Sequence, residues 1–233
     1  MTDYRAVAAA RNNGDWHAMM FDIHQLRYER SDILFTAVDP PPAYHSDSVV
    51  LTPHQPGAAA ELVRERTGRQ FAIKDSFGEL DFGVLGLTEL FAASWIWCDD
   101  VGNPDVHGWE NINSIDRLMV WEAAWQANGS PVEQRQFPDQ ILGRSDVAIF
   151  GRLSSQGYDA GVIANRSTDS VGFSNAFGPT DSVGAAIALC SAFGDGMAVV
   201  GYESGEDLEV ALASGFVATG QLRVGMNAAE APH

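Results

Sequence analysis

Apolar side chains recur at helical spacing at Trp16, Met19, Met20, Ile23 and Leu26, which predicts a helix over Asp15 to Arg30. Ile33 to Val38 reads as a strand that stops at Asp39-Pro40-Pro41-Pro42. Val49-Val50-Leu51 reads as a second strand, Ala58 to Arg66 as a short helix closed by Gly68, and Phe71-Ala72-Ile73 as the start of a third strand. Lys74 to Phe82 is polar and aromatic and reads as a loop. From residue 89 the pattern is more regular. Leu90 to Cys98 is strand-like, and Asp99 to Pro104 is a turn. Ser114 caps a predicted helix through Asn128-Gly129, with Ile115, Leu118, Trp121 and Trp125 at helical spacing. Val147 to Phe150, Ala160 to Ala164 and Val171 to Phe177 predict three strands of an antiparallel meander. Asp181 to Phe193 is a helix of small residues, and Met197 to Tyr202 a buried strand. Ser204 and Asp207 form a capping box for a helix that ends at Gly215, and Leu222-Arg223-Val224 is the last strand. Met226 to His233 reads as a frayed tail.

Composition narrows the class of partner. The 233 residues hold 45% hydrophobic and 19% charged side chains, enough for a folded core. Lys+Arg total 14 against 31 Asp+Glu, a formal net charge of −17. That balance argues against nucleic acid, whose affinity comes from cations that neutralise phosphates, and against an anionic membrane surface. The first residues lack the pattern of a secretory signal, and no stretch approaches the length of a membrane span. Cys98 and Cys190 are the only cysteines and make no disulfide framework, so a reducing cytoplasm is the simplest location. Metal binding is not expected: His17 and His24 are seven positions apart on a predicted helix, roughly 10 Å, and His45, His54 and His107 lack close partners.

Strand-strand-strand-helix-strand-helix-strand over residues 147–224 resembles the core of the GNAT superfamily of acyl-CoA N-acyltransferases. The sharpest local likeness is Ser204 to Gly215-Phe216 followed by Val217 to Val224, a helix that ends in a Gly-Phe step before a strand returning to the sheet. Phe91 to Cys98 and the Ser114 helix are similar to the family's first strand and first helix. The resemblance implies an α/β (α+β) fold: a mixed, mainly antiparallel sheet flanked by helices, with a GNAT-like domain over residues 89–226. Residues 1–88 are an N-terminal α/β extension that could be a degenerate half of the same fold, and 227–233 a disordered tail.

The resemblance further implies an N-acyltransferase that takes acetyl-CoA or another acyl-CoA as co-substrate, no metal, and a small-molecule amine as acceptor. A homodimer is left open. Acyl-CoA would enter where Val171 to Phe177 and Met197 to Tyr202 splay apart, with Phe173, Ser174 and Asn175 beside it. Its pyrophosphate would sit on backbone N–H groups at Gly184 and Ala185. The family's mark there is Gln/Arg-x-x-Gly-x-Gly/Ala. This chain has Phe177-Gly178-Pro179-Thr180-Asp181-Ser182-Val183-Gly184-Ala185, with no cation and with Asp181 at the helix start. A tyrosine that many members carry four residues before the Gly-Phe glycine is Ala211 here. A GNAT-fold protein without acyl-CoA transfer, which binds a small molecule or partner or runs another reaction in the same cleft, is therefore the alternative.

Candidate chemistry follows from placement. Glu203, at the strand end, is a general-base candidate if partly desolvated, and Tyr202 could protonate a thiolate; both residue types are also ordinary at a strand end. Ser174 and Asn175 could hydrogen-bond a carbonyl or serve only as edge polarity. Lys74, Asp75 and Ser76 belong to the densest polar cluster, read either as a solvated loop or as a substrate-binding one. Five of the six tryptophans, Trp95 and Trp121 among them, lie between residues 95 and 125. They are either core or the wall of an amine pocket.

Overall fold

Asp3 accepts a hydrogen bond from the Arg5 amide and so starts helix α1 (Tyr4–Ile23) in the computed structural model, which describes residues 2–66 and 70–227. α1 begins well before the predicted Asp15 and ends before Arg30. Its first turns are buried through Ala6, Ala8, Ala9 and Ala10, which are too small to leave an apolar stripe in the sequence. The helix stops where Gln25 adopts a positive φ of 57° and the Leu26 amide bonds back to Phe21 O at 2.9 Å, a wrap that glycine usually announces. The residues beyond it form strand β1 (Tyr28–Arg30) rather than more helix.

The chain continues through β2 (Leu34–Ala37), β3 (Ser48–Val50), α2 (Pro56–Glu65), β4 (Ala72–Asp75), β5 (Thr88–Cys98), β6 (Trp109–Asn111) and α3 (Ile115–Ala127). It then forms β7 (Val147–Ser154), β8 (Gly157–Arg166), β9 (Ser170–Phe177), α4 (Val183–Phe193), β10 (Ala198–Glu203), α5 (Gly205–Ala213) and β11 (Val217–Met226). The meander, the following helix, strand and helix, and the return strand stand where the sequence pattern predicts them. Gly68 and the tail from residue 228 lie outside the described residues. Two local readings change. Ser204 stands at the N-cap of α5 without a side-chain hydrogen bond, so the capping box does not close. Lys74 and Asp75 belong to β4, not to a solvated loop; they are 3% and 1% exposed.

All eleven strands form one sheet in the order β1-β2-β3-β4-β11-β5-β10-β9-β8-β7-β6. Phe91 to Cys98, expected at the position of a first strand, therefore lies at the centre between β10 and β11. Read outward from the central β11–β5 pair, the two wings match. Each runs antiparallel, then parallel (β4–β3 and β10–β9), then antiparallel twice, and the second wing adds β6 antiparallel to β7 at its edge. Each wing's last strand in the chain, β5 or β11, pairs with the penultimate strand of the other wing. Arg223 and Asp75 face each other across one of these exchanged pairs.

Helices cover both faces. α1 and α3 share a core with β7 and β8 through Trp16, Met20, Leu118, Trp121, Ile149 and Ile163. α4 and α5 cover the other face through Ile187, Cys190 and Ala211 against Val162, Val171 and Val199. Strand alternation then assigns β10. Val200 and Tyr202 face α1, while Val199 and Glu203 face α4 and α5.

The functional opening has a local cause. β9 and β10 pair in parallel only at Ser170–Ala198, Val171–Val199 and Gly172–Val200. Beyond that point β9 carries an extra residue relative to β8, where Ile163 pairs Ser174 but Gly161 pairs Phe177. Asn175 lies in this bulge with a positive φ of 52°. A bulge bends its strand and raises its twist, so β9 leaves β10 there and a wedge opens.

Candidate active site

Two cavities meet at the wedge. The first, about 260 Å³, lies on the α1 face and is lined by Asn13, Trp16, His17, Tyr44, His45, Lys74, Trp95, Trp125, Ser174, Asn175, Tyr202 and Glu203, among others. The second, about 240 Å³, lies between β9, α4 and α5 and is lined by Phe173, Phe177, Gly178, Thr180, Val183, Glu203, Asp207 and Ala211, among others. Phe173, Ala176 and Glu203 belong to both walls.

Glu203 ends β10, opposite Ser94 on β5. Burial pushes its carboxyl up to about 7, and the nearby Asp207 adds to the rise. The group is therefore divided between acid and base at neutral pH, which suits proton transfer. Tyr202 precedes it and points the other way. Its ring packs edge-on to Trp95 at 5.7 Å and stacks on Phe91 at 6.4 Å. Burial, then Glu203, raise its phenol to about 12, so it keeps its proton. Tyr202 lines the first cavity and not the second.

Lys74 reaches the same cavity from β4. Its Nζ lies 4.2 Å from the centre of the Tyr202 ring and donates to Asn13 Oδ1 at 2.8 Å. Burial lowers the ammonium to about 7. The cation–π contact in this cavity is thus made by the chain's own lysine, over a tyrosine and not a tryptophan.

α1 supplies a third group. The His17 ring donates through Nδ1 to the Asn13 carbonyl at 2.8 Å, since a carbonyl only accepts. Its Nε2 is buried with no partner among the described residues. Burial, then Lys74 and His45, hold His17 well below its ordinary pKa, so it is a neutral acceptor. His45 is not isolated: its ring lies 4.9 Å from that of His17, and burial lowers it to about 4. His54 is not isolated either, with Nδ1 3.0 Å from Glu79 Oε1. Among the described residues no cluster of three His, Cys, Asp or Glu stands ready for a metal, and no helix is long and apolar enough to cross a membrane.

The remaining sequence candidates take structural or peripheral places. Asp75 accepts from the Glu79 and Leu80 amides and pairs with Arg223 at 3.1 Å. Ser76 is fully buried; its carbonyl accepts from the Trp95 indole at 2.7 Å. Trp121 is fully buried and donates to Phe150 O at 2.9 Å, outside the lining of either cavity. Ser174 donates to Asn165 Oδ1 at 3.0 Å, and Asn165 donates in turn to Asn12 Oδ1 at 2.9 Å, which ties the wedge to α1. Gly184 and Ala185 sit in the first turn of α4, where Val183 and Ala186 face the second cavity. The sequence reading missed Asn13, Trp16 and Tyr44 as lining residues and gave His17 and His45 no role; Trp125, one of the tryptophans it read as core or pocket wall, does line the first cavity.

A short 3-10 turn, Thr180–Ser182, leads into α4. Ser182 spends its hydroxyl on Pro179 O at 2.6 Å and does not cap the helix. Asp181 lies 3.2 Å from Arg152, whose other nitrogens bind Asp159 at 2.8 and 3.2 Å.

No protein-family model and no curated protein matches the sequence. Solved structures do. A GCN5-related N-acetyltransferase from Kribbella flavida is 11% identical, with a TM-score of 0.65 over 94% of this chain and 95% of that one.

The chain has the GNAT superfamily fold.

An acetyltransferase of the GNAT family from Colwellia psychrerythraea is 12% identical, with a TM-score of 0.53 over 88% of this chain and 85% of that one. A functionally unknown conserved protein from Staphylococcus epidermidis is 9% identical, with a TM-score of 0.58 over 87% and 94%. At 87 to 94% of this chain, these likenesses extend over the N-terminal wing as well as the meander.

Proposed function

We propose that this GNAT-fold chain is an N-acyltransferase that moves an acyl group from acyl-CoA, acetyl-CoA in the first instance, to a small amine. Glu203, shared by two cavities at the β9–β10 wedge, carries the reading. Donor on one side and acceptor on the other would meet at this carboxyl. The donor's chain-like arm suits the slot beside Phe173, Ser174 and Asn175, where unpaired strand edges offer backbone hydrogen bonds. Gly184 and Ala185 lie where a diphosphate would meet the start of α4.

The chemistry balances as follows. Glu203 takes one proton from the acceptor ammonium, directly or through one water. The freed lone pair forms the C–N bond as the thioester C–S bond breaks. The second N–H proton goes to the departing thiolate, and Glu203 returns its proton to solvent. Tyr202 then serves the acceptor wall, since its ring faces α1. We further propose that residues 1–88, with β5 as their last strand, form a degenerate half of the same fold, on the strength of the matching wings.

A second reading has a specific support. Asp181 stands at the start of α4, and Arg152 is already engaged by two carboxylates. On that reading the cleft holds a ligand without the phosphates of CoA. Thermal denaturation with acetyl-CoA decides between them. Donor at 100 times its Kd adds about 2.7 kcal/mol of stability. A stabilising shift with acetyl-, malonyl- or succinyl-CoA, followed by release of free thiol when amines are added, supports the transferase. No shift with any of the three overturns it.

A further inference from the structure

The first cavity holds one ammonium, Lys74, and one carboxyl, Glu203, at separate stations of its wall. They form no ion pair with each other, and no carboxylate within ion-pair distance neutralises Lys74 among the described residues. In a chain of net charge −17, this buried and unmatched cation is also the only lysine. Burying an ammonium without a counter-charge is costly. Lys74 spends one of its three donors on Asn13, and a π face occupies another side. The cavity remains its open direction. Beside it, the buried His17 Nε2 presents a lone pair with no donor to meet it. Three groups on one wall thus await partners: an acceptor for Lys74, and N–H donors for His17 and Glu203.

We propose that the acceptor of this cavity is a free amino acid or similar amino-carboxylate, with its carboxylate on Lys74 and its amino group toward Glu203 and His17. This rests on the transferase reading for the fate of the amine, but the binding claim stands separately. A zwitterion supplies both missing partners with a short backbone, and 260 Å³ accommodates such a molecule. Trp16, Tyr44 and Trp125 on the same wall favour an apolar side chain, aromatic or aliphatic.

The test compares matched pairs on the full-length protein: L-phenylalanine with phenethylamine, L-leucine with isopentylamine, and L-methionine with 3-(methylthio)propylamine. Binding is followed by tryptophan fluorescence or calorimetry without donor, and turnover by thiol release with acetyl-CoA. The amino acid of at least one pair is expected to bind roughly 10- to 100-fold more tightly than its amine, the usual worth of a charged hydrogen bond. In Lys74→Met and Lys74→Gln that ratio is expected to fall to about one while melting stays cooperative. Equal binding within every pair, no binding by any amino acid, or a preference that survives in both folded variants overturns the proposal. Carboxylate-dependent binding without acyl transfer defeats the transferase reading and leaves this one intact; acyl transfer without carboxylate preference does the reverse.

Discussion

Arg223 on β11 and Asp75 on β4 stand directly opposite each other in register, with Nη2 3.1 Å from Oδ2. Asp75 is almost wholly buried, and it also holds the Glu79 and Leu80 amides that begin the next loop. The pair fastens the last strand of the chain to the N-terminal wing. It also fixes the end of β4 next to Lys74, so the site's lysine depends on a contact between residues 148 positions apart.

Removing Asp75 leaves Arg223 without its buried partner and two amides without an acceptor. Asp75→Ala is expected to cost about 3–5 kcal/mol, as for other broken buried pairs. Urea denaturation reads this directly; a loss under about 1 kcal/mol, the scale of an exposed pair, would show that the contact does not hold the wings together.

The raised pKa of Glu203 sets a pH dependence for catalysis. Only the carboxylate accepts a proton, so kcat/KM is expected to rise with pH through about 7. Glu203→Gln is expected to lose this limb together with roughly 10²- to 10⁴-fold in rate. A limb near pH 7 that persists in the glutamine variant would assign it to another group.

Lys74 sets a pH dependence of stability. Its folded pKa of about 7 lies below the ordinary 10.5, so the unfolded chain binds more protons between these values and stability rises with pH there. The cost of burying the charge is full below pH 7 and fades toward pH 10.5. Lys74→Met is therefore expected to gain more in melting temperature over the wild type at pH 6 than at pH 9. An equal difference at both values would mean that the lysine is not charged at a cost in the folded state.

Gly172 occupies the last paired position before the wedge. A Cβ there would lie 2.0 Å from Asn165 Oδ1 and 2.5 Å from Asn12 Oδ1, inside the buried amide pair that ties β8 to α1. Gly172→Ala is expected to cost about 1–3 kcal/mol through overpacking. Chemical denaturation should show this without a change in m-value; an unchanged midpoint would mean that the amide pair yields freely.

Much of the C-terminal wing is legible in the sequence. Its strands alternate or run apolar between glycines and polar turns, and Gly215 takes the positive φ of 107° that its place after α5 demands. Glu203 and Tyr202 are legible as the end of a buried strand. Local pattern carries these features because the forces that set them act over a few residues. Other features depend on distant parts of the chain. Alanines at the start of α1 hide its apolar face, and the exchange of β5 and β11 between wings leaves no mark in either strand.

Periodicity and turn chemistry thus determined the order of most elements, because backbone preferences and side-chain alternation are local properties. The likeness of that order to the GNAT core implied the place of the β9–β10 opening. The tertiary structure alone decided that Lys74 is a buried strand residue against Tyr202, that His17 faces it from α1, and that Glu203 is shared by two cavities. Burial and electrostatic environment are set by whatever packs around a group, and here those neighbours come from opposite ends of the chain.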